Sequence, residues 1–368
     1  MRGEKGARMD AREHRWRLRL CAGLAVLATI GSLGVAAWLA GRSPSGRPPA
    51  VQTSDPAPRP LDLSALPPAR QIWPAAVRTL PAHLPDGQAG YTVQAALPGD
   101  RYLVSYPGAT GTVLAAFDTE RATVTVLSTP TAYLLAGVPT VAGDRVTWVV
   151  AGTDAGGRPV AEIWVGSTAG GAPVRVARLT GADAGGVHRA WTVGDRVLWT
   201  GYPAGADRPA VYQAPLGTGT ATAVPGAAGY ALALEAWAVA PGSGTGLWNV
   251  VTGVRLPVPG GVRSCTPGWC VAQRPDGRFE VWRLDGGPAV PAPAGTTALS
   301  LAGGGRFAVG AATVAGRPVP YLWDLSSGRA GVLPFAADPA GPDTSVICPL
   351  SALQGLVEIV DLALVGRT

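Results

Sequence analysis

Residues 320–334 read PYLWDLSSGRAGVLP and residues 244–258 read GTGLWNVVTGVRLPV. Each is a short apolar run ending on an aromatic, a turn built around glycine, and a second apolar run, which predicts strand, turn, strand. The same design recurs in TVLAAFDTERATVTVL (112–127), VAEIWVGSTAGGAPVRVARL (160–179), PAVYQAPLGTGTATAV (209–224) and RFEVWRLDGGPAVPA (278–292). The aromatics of the six units are Phe117, Trp164, Tyr212, Trp248, Trp282 and Trp323, and LVEIVDLAL (356–364) puts Ile359 in the same slot. Successive slots lie 47, 48, 36, 34, 41 and 36 residues apart. That spacing is close to the roughly 40–45 residues of a four-stranded propeller blade.

A second signal precedes several slots. Gly99-Asp100-Arg101, Gly143-Asp144-Arg145, Gly194-Asp195-Arg196 and the looser Gly304-Gly305-Arg306 each lead into an apolar strand. Gly-Asp supplies hairpin turn chemistry, and the residues that follow alternate as strands do. A small antiparallel sheet cannot bury both of its faces alone, whereas a ring of such sheets covers them and leaves short edges. The expected fold is all-β: a β-propeller of seven blades, with six as the alternative. The chain ends soon after Leu364, so the last blade is short, and residues around Ala76 to Leu80 are expected to supply its missing outer strand. The slot aromatics are then read as packing between blades rather than as ligand-stacking groups.

Through phrases such as LWDLSSGRAGVL and LWNVVTGVRLPV the chain resembles the broad WD40-like, TolB-like and PQQ-like β-propeller superfamily over roughly residues 78–366. Regular Gly-His and Trp-Asp repeats are missing, which sets it apart from typical WD40 proteins. An N-terminal apolar run, WPAAV at 73–77 and the insert CTPGWC look like membrane-anchored propeller proteins of actinobacteria. That resemblance implies a fold and carries over no catalytic residue.

Composition agrees with many short strands: 51 glycines and 35 prolines oppose long helices. The net charge of +6 is located entirely in residues 1–50, which hold nine Lys or Arg against three acidic residues. From residue 51 onward 21 arginines balance 21 acidic residues, so the main domain lacks the positive field of a phosphate-binding surface. Nucleic-acid binding is excluded as a leading reading.

Leu20 to Ala40 is an uncharged run of 21 residues. At about 1.5 Å per residue it matches a hydrocarbon layer of roughly 30 Å. Arg12, Arg15, Arg17 and Arg19 precede it and only Arg42 and Arg47 follow closely, which places the N-terminus in the cytoplasm. A cleaved signal peptide is the rival reading, but the run exceeds the roughly 7–15 residues of a signal core. Residues 43–70 are Pro-rich and suit an extended spacer. The expected organisation is a basic cytoplasmic tail (1–19), a transmembrane helix (20–40), a Pro-rich extracellular linker (41–72) and the propeller (73–368). This is a single-pass protein of the cell membrane that displays its C-terminal domain outside.

Chemistry is sparse. His83 and His188 are far apart and have no Cys or acidic neighbours at metal-ligand spacing. Ser243 in PGSGTG lacks nucleophile-elbow spacing, and the glycine-rich pieces do not form a phosphate-binding G-x-G-x-x-G. No cofactor is implied. Cys265 and Cys270 bracket a turn-like Thr-Pro-Gly-Trp and are expected to form a disulfide in an exported domain, while Cys348 reads as a buried free thiol and Cys21 falls in the apolar run. The leading functional reading is a cell-surface binding or scaffold module whose loops hold an envelope protein, peptide or glycan. The alternative is an extracytoplasmic enzyme, a hydrolase, lyase or quinone-dependent oxidoreductase, with Asp118/Glu120 and Asp276/Glu280 as its acid pairs.

Overall fold

The computed structural model describes residues 61–128, 133–203, 205–217, 220–240, 246–258, 261–335, 345–347 and 356–365. Seven antiparallel sheets follow one another in sequence order, and the first strands of neighbouring sheets lie beside each other around the middle of a seven-bladed β-propeller. Blade 1 runs Thr92–Leu97, Arg101–Pro107, Thr112–Asp118 and Thr123–Val126 from inner to outer strand. Blade 2 has a divided inner strand, Leu134–Leu135 and Thr140–Ala142, both paired with Arg145–Thr153, followed by Pro159–Ser167 and Val174–Thr180. Blade 3 comprises Ala190–Val193, Arg196–Gly201, Ala210–Pro215 and Thr222–Ala228. Blade 4 is the slightest, with Ala231–Leu234, Trp237–Val239, Leu247–Asn249 and Arg255–Leu256. Blade 5 is Val262–Cys265, Trp269–Gln273, Phe279–Arg283 and Val290–Pro291, and blade 6 is Thr296–Ala302, Phe307–Val314, Arg317–Asp324 and Ala330–Val332.

Blade 7 closes the ring with both ends of the chain. Val346–Ile347 and Leu356–Asp361 come from the C-terminal side, and the outer position is taken by Val77–Pro81, registered from Val77 on Val360 to Pro81 on Leu356. The outer strand from the N-terminal side is therefore where the repeat count places it, and six blades are ruled out. One detail differs. Ile359 does not share the slot of the aromatics: it packs at the seam of blades 7 and 1 with Tyr102 and Phe117, whereas its neighbour Val360 packs toward blade 6 with Trp73 and Leu322, the side on which each aromatic meets its preceding blade. Leu356–Asp361 is tied as a third strand is, since the Leu362 N–H donates to the Ser345 carbonyl at 2.9 Å just as the Leu325 N–H donates to Arg306 in blade 6, so the sequence-order spacing misses the slot by one residue.

The core is a set of seams. Phe117 packs where blades 7 and 1 meet, Trp164 between blades 1 and 2, and Tyr212 between blades 2 and 3. Trp248, Trp282 and Trp323 take the same place at the next three seams. Each third-strand ring thus leans on the preceding blade. Trp323 is fully buried, whereas Trp164, Tyr212 and Trp282 keep an edge toward solvent.

The Gly-Asp-Arg segments are the turns between inner and second strands of blades 1, 2 and 3, with Gly304-Gly305-Arg306 equivalent in blade 6. Gly143 and Gly194 have φ of 62° and 63° at the first turn position, the left-handed conformation a tight hairpin demands there. The carbonyls of Asp100, Asp144, Asp195 and Arg306 then accept the N–H of the residue leaving the third strand, at 3.2, 2.8, 2.9 and 2.9 Å. The repeated tag is thereby explained as a device that ties one end of each sheet.

Cys265 and Cys270 face each other across the first hairpin of blade 5 and are disulfide-bonded, both fully buried. Replacing both by serine is expected to cost about 2 kcal/mol, the loop-closure term for so short a loop. Equilibrium denaturation with and without the pair measures it, and an unchanged midpoint would remove the staple role.

Among the described residues no helix is long and apolar enough to cross a membrane. The apolar run Leu20 to Ala40, most of the Pro-rich linker, Cys21, Ser243 and Cys348 lie outside the described residues.

Candidate functional site

Most ionisable groups beside the strands are engaged in holding the blades. Glu162 is buried on the third strand of blade 2. It accepts the Trp164 indole N–H at 3.1 Å and pairs with Arg175 and Arg178 of the outer strand at 2.9 and 3.3 Å. Blade 5 repeats the device: Glu280 accepts the Trp282 N–H at 2.8 Å and faces Arg274 at 3.6 Å. A Glu two residues before the slot tryptophan shares its strand face, so Glu-x-Trp is a readable signal that sequence reasoning missed. In blade 6 that position is Tyr321, and the Trp323 N–H is buried without a partner.

The acid pairs considered for catalysis are anchored in the same way. Asp118 accepts the backbone N–H and the guanidinium of Arg121 at 2.8 and 2.7 Å, and Asp276 accepts the Arg278 guanidinium at 2.7 Å. These bonds hold both carboxyls below the usual carboxylate range. His83 forms an isolated bridge with Ala89, and His188 is exposed two residues before the inner strand of blade 3. The structure brings none of these together, and no group of three His, Cys, Asp or Glu is poised for a metal among the described residues.

Two cavities open on blade 3. The first, of about 180 Å³, is lined by Asp195, Arg196, Gln213, Ala214, Pro215 and Thr222. Its charge is internally answered, since Arg196 donates to Gln213 at 2.9 Å and to Asp195 at 3.3 Å. The second, of about 170 Å³, lies in the outer part of the seam between blades 2 and 3. Leu179 lies near the end of the outer strand of blade 2, Asp183 follows in a single 3-10 turn (Gly181–Ala184), and Trp199, Gly201, Tyr202, Tyr212 and Ala221 come from blade 3.

Register builds the second cavity. Trp199 and Tyr212 are directly paired across the second and third strands, and their rings stack at 6.0 Å with planes 15° apart. Gly201 leaves room for that stack, because a Cβ there would stand 3.1 Å from the Tyr212 ring. Tyr202 swings over Gly186 and is 40% exposed, unusual for so large a ring in this fold. Burial raises the Tyr212 hydroxyl above the ordinary tyrosine value, and the negative charge of Asp183 adds to it. Of the slot aromatics, Tyr212 alone lines this cavity. The other lining residues were not singled out from sequence, since they arrive one or two at a time from separate elements.

No protein-family model matches the chain, and no curated protein does. Among solved structures, a study of two prolyl endopeptidases is similar at 15% identity and a TM-score of 0.50, covering 75% of this chain and 47% of that one. TolB from Acinetobacter baumannii matches at 16% identity and a TM-score of 0.32, covering 69% and 53%. The WD40 domain of SCAP from fission yeast matches at 8% and 0.40, covering 78% and 98%. The chain spans about half the length of the TolB and endopeptidase chains. At such identity the endopeptidase likeness speaks for the propeller fold alone.

Proposed function

We propose that this protein is a membrane-anchored extracytoplasmic propeller that binds, rather than converts, an envelope protein, peptide or glycan. In this reading residues 1–19 are a cytoplasmic tail, 20–40 a transmembrane helix, 41–72 a spacer and 73–368 the binding domain. The observation that carries the binding role is the contrast within the propeller. Its carboxylates are largely taken up in arginine and backbone bonds, while an aromatic-lined cavity at the blade 2–3 seam stands open. The uncharged 21-residue run behind four arginines supports the anchor, and a disulfide of the Cys265–Cys270 kind supports an oxidising compartment.

The test is crosslinking on intact cells with the full-length chain, together with protease shaving. The expected result is that external protease removes the propeller epitope while an N-terminal epitope survives. A crosslinked envelope partner should also appear with the parent chain and disappear with Tyr202→Ala. An epitope protected from external protease would overturn the topology, and an unchanged crosslink pattern in the variant would overturn the site.

A further inference from the structure

We propose that the blade 2–3 cavity is a site for a small organic cation, an alkylammonium head group, whether free or carried on a larger ligand. This rests on the binding reading above and deepens it. Three aromatic side chains, Trp199, Tyr202 and Tyr212, line one opening together with one carboxylate, Asp183. The faces of aromatic rings carry negative electrostatic potential, so rings gathered beside a carboxylate attract positive charge and prefer cations whose alkyl shell is easily dehydrated.

The surrounding cations do not supply that charge. Arg175 and Arg178 are both turned to Glu162, and Arg196 is bound to Asp195 and Gln213. Asp183 itself forms no ion pair with any described residue, and it lies close enough to Tyr212 for its charge to act on the phenol. Elsewhere the protein shows what a filled version of this arrangement looks like. At the blade 3–4 seam Arg255 covers the Trp248 ring at 4.5 Å and the Tyr230 ring at 5.7 Å. At the blade 2–3 seam comparable rings have an acid beside them and a space of about 170 Å³ where a cation would be. The small side chains Gly201 and Ala221 keep that space open.

The experiment is a ligand-observed NMR titration of the full-length chain in non-ionic detergent with tetramethylammonium chloride. Tert-butanol, similar in shape but uncharged, and cellobiose, a neutral sugar, serve as parallel probes. Saturable binding of tetramethylammonium is expected, weakened roughly fivefold or more by Tyr202→Ala and by Asp183→Asn. It should also be lost in Ala221→Leu, which fills the space without removing a recognising group. Asp183 and Tyr202 are both exposed, so those two variants should retain the parent unfolding temperature. No saturable binding, binding unchanged by Asp183→Asn, or equal binding of tert-butanol or cellobiose would overturn the proposal. The envelope-partner reading would still stand on its crosslinking result, because a partner can dock without inserting a cation.

Discussion

Trp73→Ala is expected to lower the stability of the propeller by about 3–5 kcal/mol, the usual cost of emptying a large buried aromatic site. Trp73 is 2% exposed and packs with Ala69, Ala76 and Val77 into a core shared with Phe307, Leu322 and Leu333 of blade 6 and Ile347, Val360 and Leu362 of blade 7. It therefore plugs the seam between blade 6 and blade 7, the blade in which the N-terminal strand pairs with the C-terminal one. Backbone bonds mark the same junction: Val332 N–H to Pro67 at 3.0 Å and Asp361 N–H to Ala76 at 2.8 Å. Contact there is close, since a Cβ on Gly331 would stand 2.9 Å from the Ala69 Cα. Thermal unfolding should show a drop on the order of 10 °C. Trp282→Ala, which loses a partly buried ring from the seam between blades 4 and 5, should show a clearly smaller one. Arg70→Ala removes an exposed pair with Glu358 at 2.5 Å and should cost under about 1 kcal/mol. A Trp73 loss no larger than that of Arg70 would mean that the closing segment does not hold the ring.

This closure also marks how far the sequence could be read. Third strands repeat one aromatic at blade spacing because each must fill the same wedge against the preceding blade, so Phe117 through Trp323 announce six blades without any alignment. The same regularity misassigns Ile359. The slot falls one residue later, on Val360, and along a strand a one-residue offset turns the side chain to the opposite face, toward blade 1 rather than blade 6. The Gly-Asp-Arg turns were legible as hairpins because left-handed φ selects glycine, but their carbonyl bonds to the third strand were not. The blade 2–3 cavity was least legible. Asp183 lies in a linker, Trp199 and Tyr202 surround the end of a second strand, and Tyr212 looks like any other packing aromatic. Only the register of Trp199 on Tyr212 turns them into one wall.

Two buried aspartates, Asp324 and Asp361, should respond to pH with opposite signs. Burial opposes ionisation of Asp324, but the Arg306 guanidinium at 3.2 and 2.8 Å and the Ser326 hydroxyl at 2.7 Å outweigh it and hold the carboxyl below its ordinary value. Its stabilising contribution is therefore present above the unfolded value of 3.8 and is lost as pH falls through the lower folded value. Asp324→Asn should cost about 2–4 kcal/mol at pH 7, since it uncouples a buried carboxylate from a half-exposed arginine. That deficit should shrink below about pH 4.

Asp361, packed at the closure, is pushed up from 3.8 by burial. The Ala363 N–H at 2.9 Å and the Tyr102 hydroxyl at 3.3 Å only partly offset this. Its contribution is greatest below 3.8 and is lost as pH rises through the folded value, so at pH 7 the ionised carboxylate weakens the seam it occupies. Asparagine keeps an acceptor for the Ala363 N–H and a partner for Tyr102 without the charge. Asp361→Asn is therefore expected to be at least as stable as the parent at pH 7 and to lose that advantage in acid. Urea denaturation of both variants at pH 7 and pH 4 decides the matter. If Asp361→Asn falls at pH 7 as far as Asp324→Asn does, the charge on Asp361 is holding the seam rather than straining it.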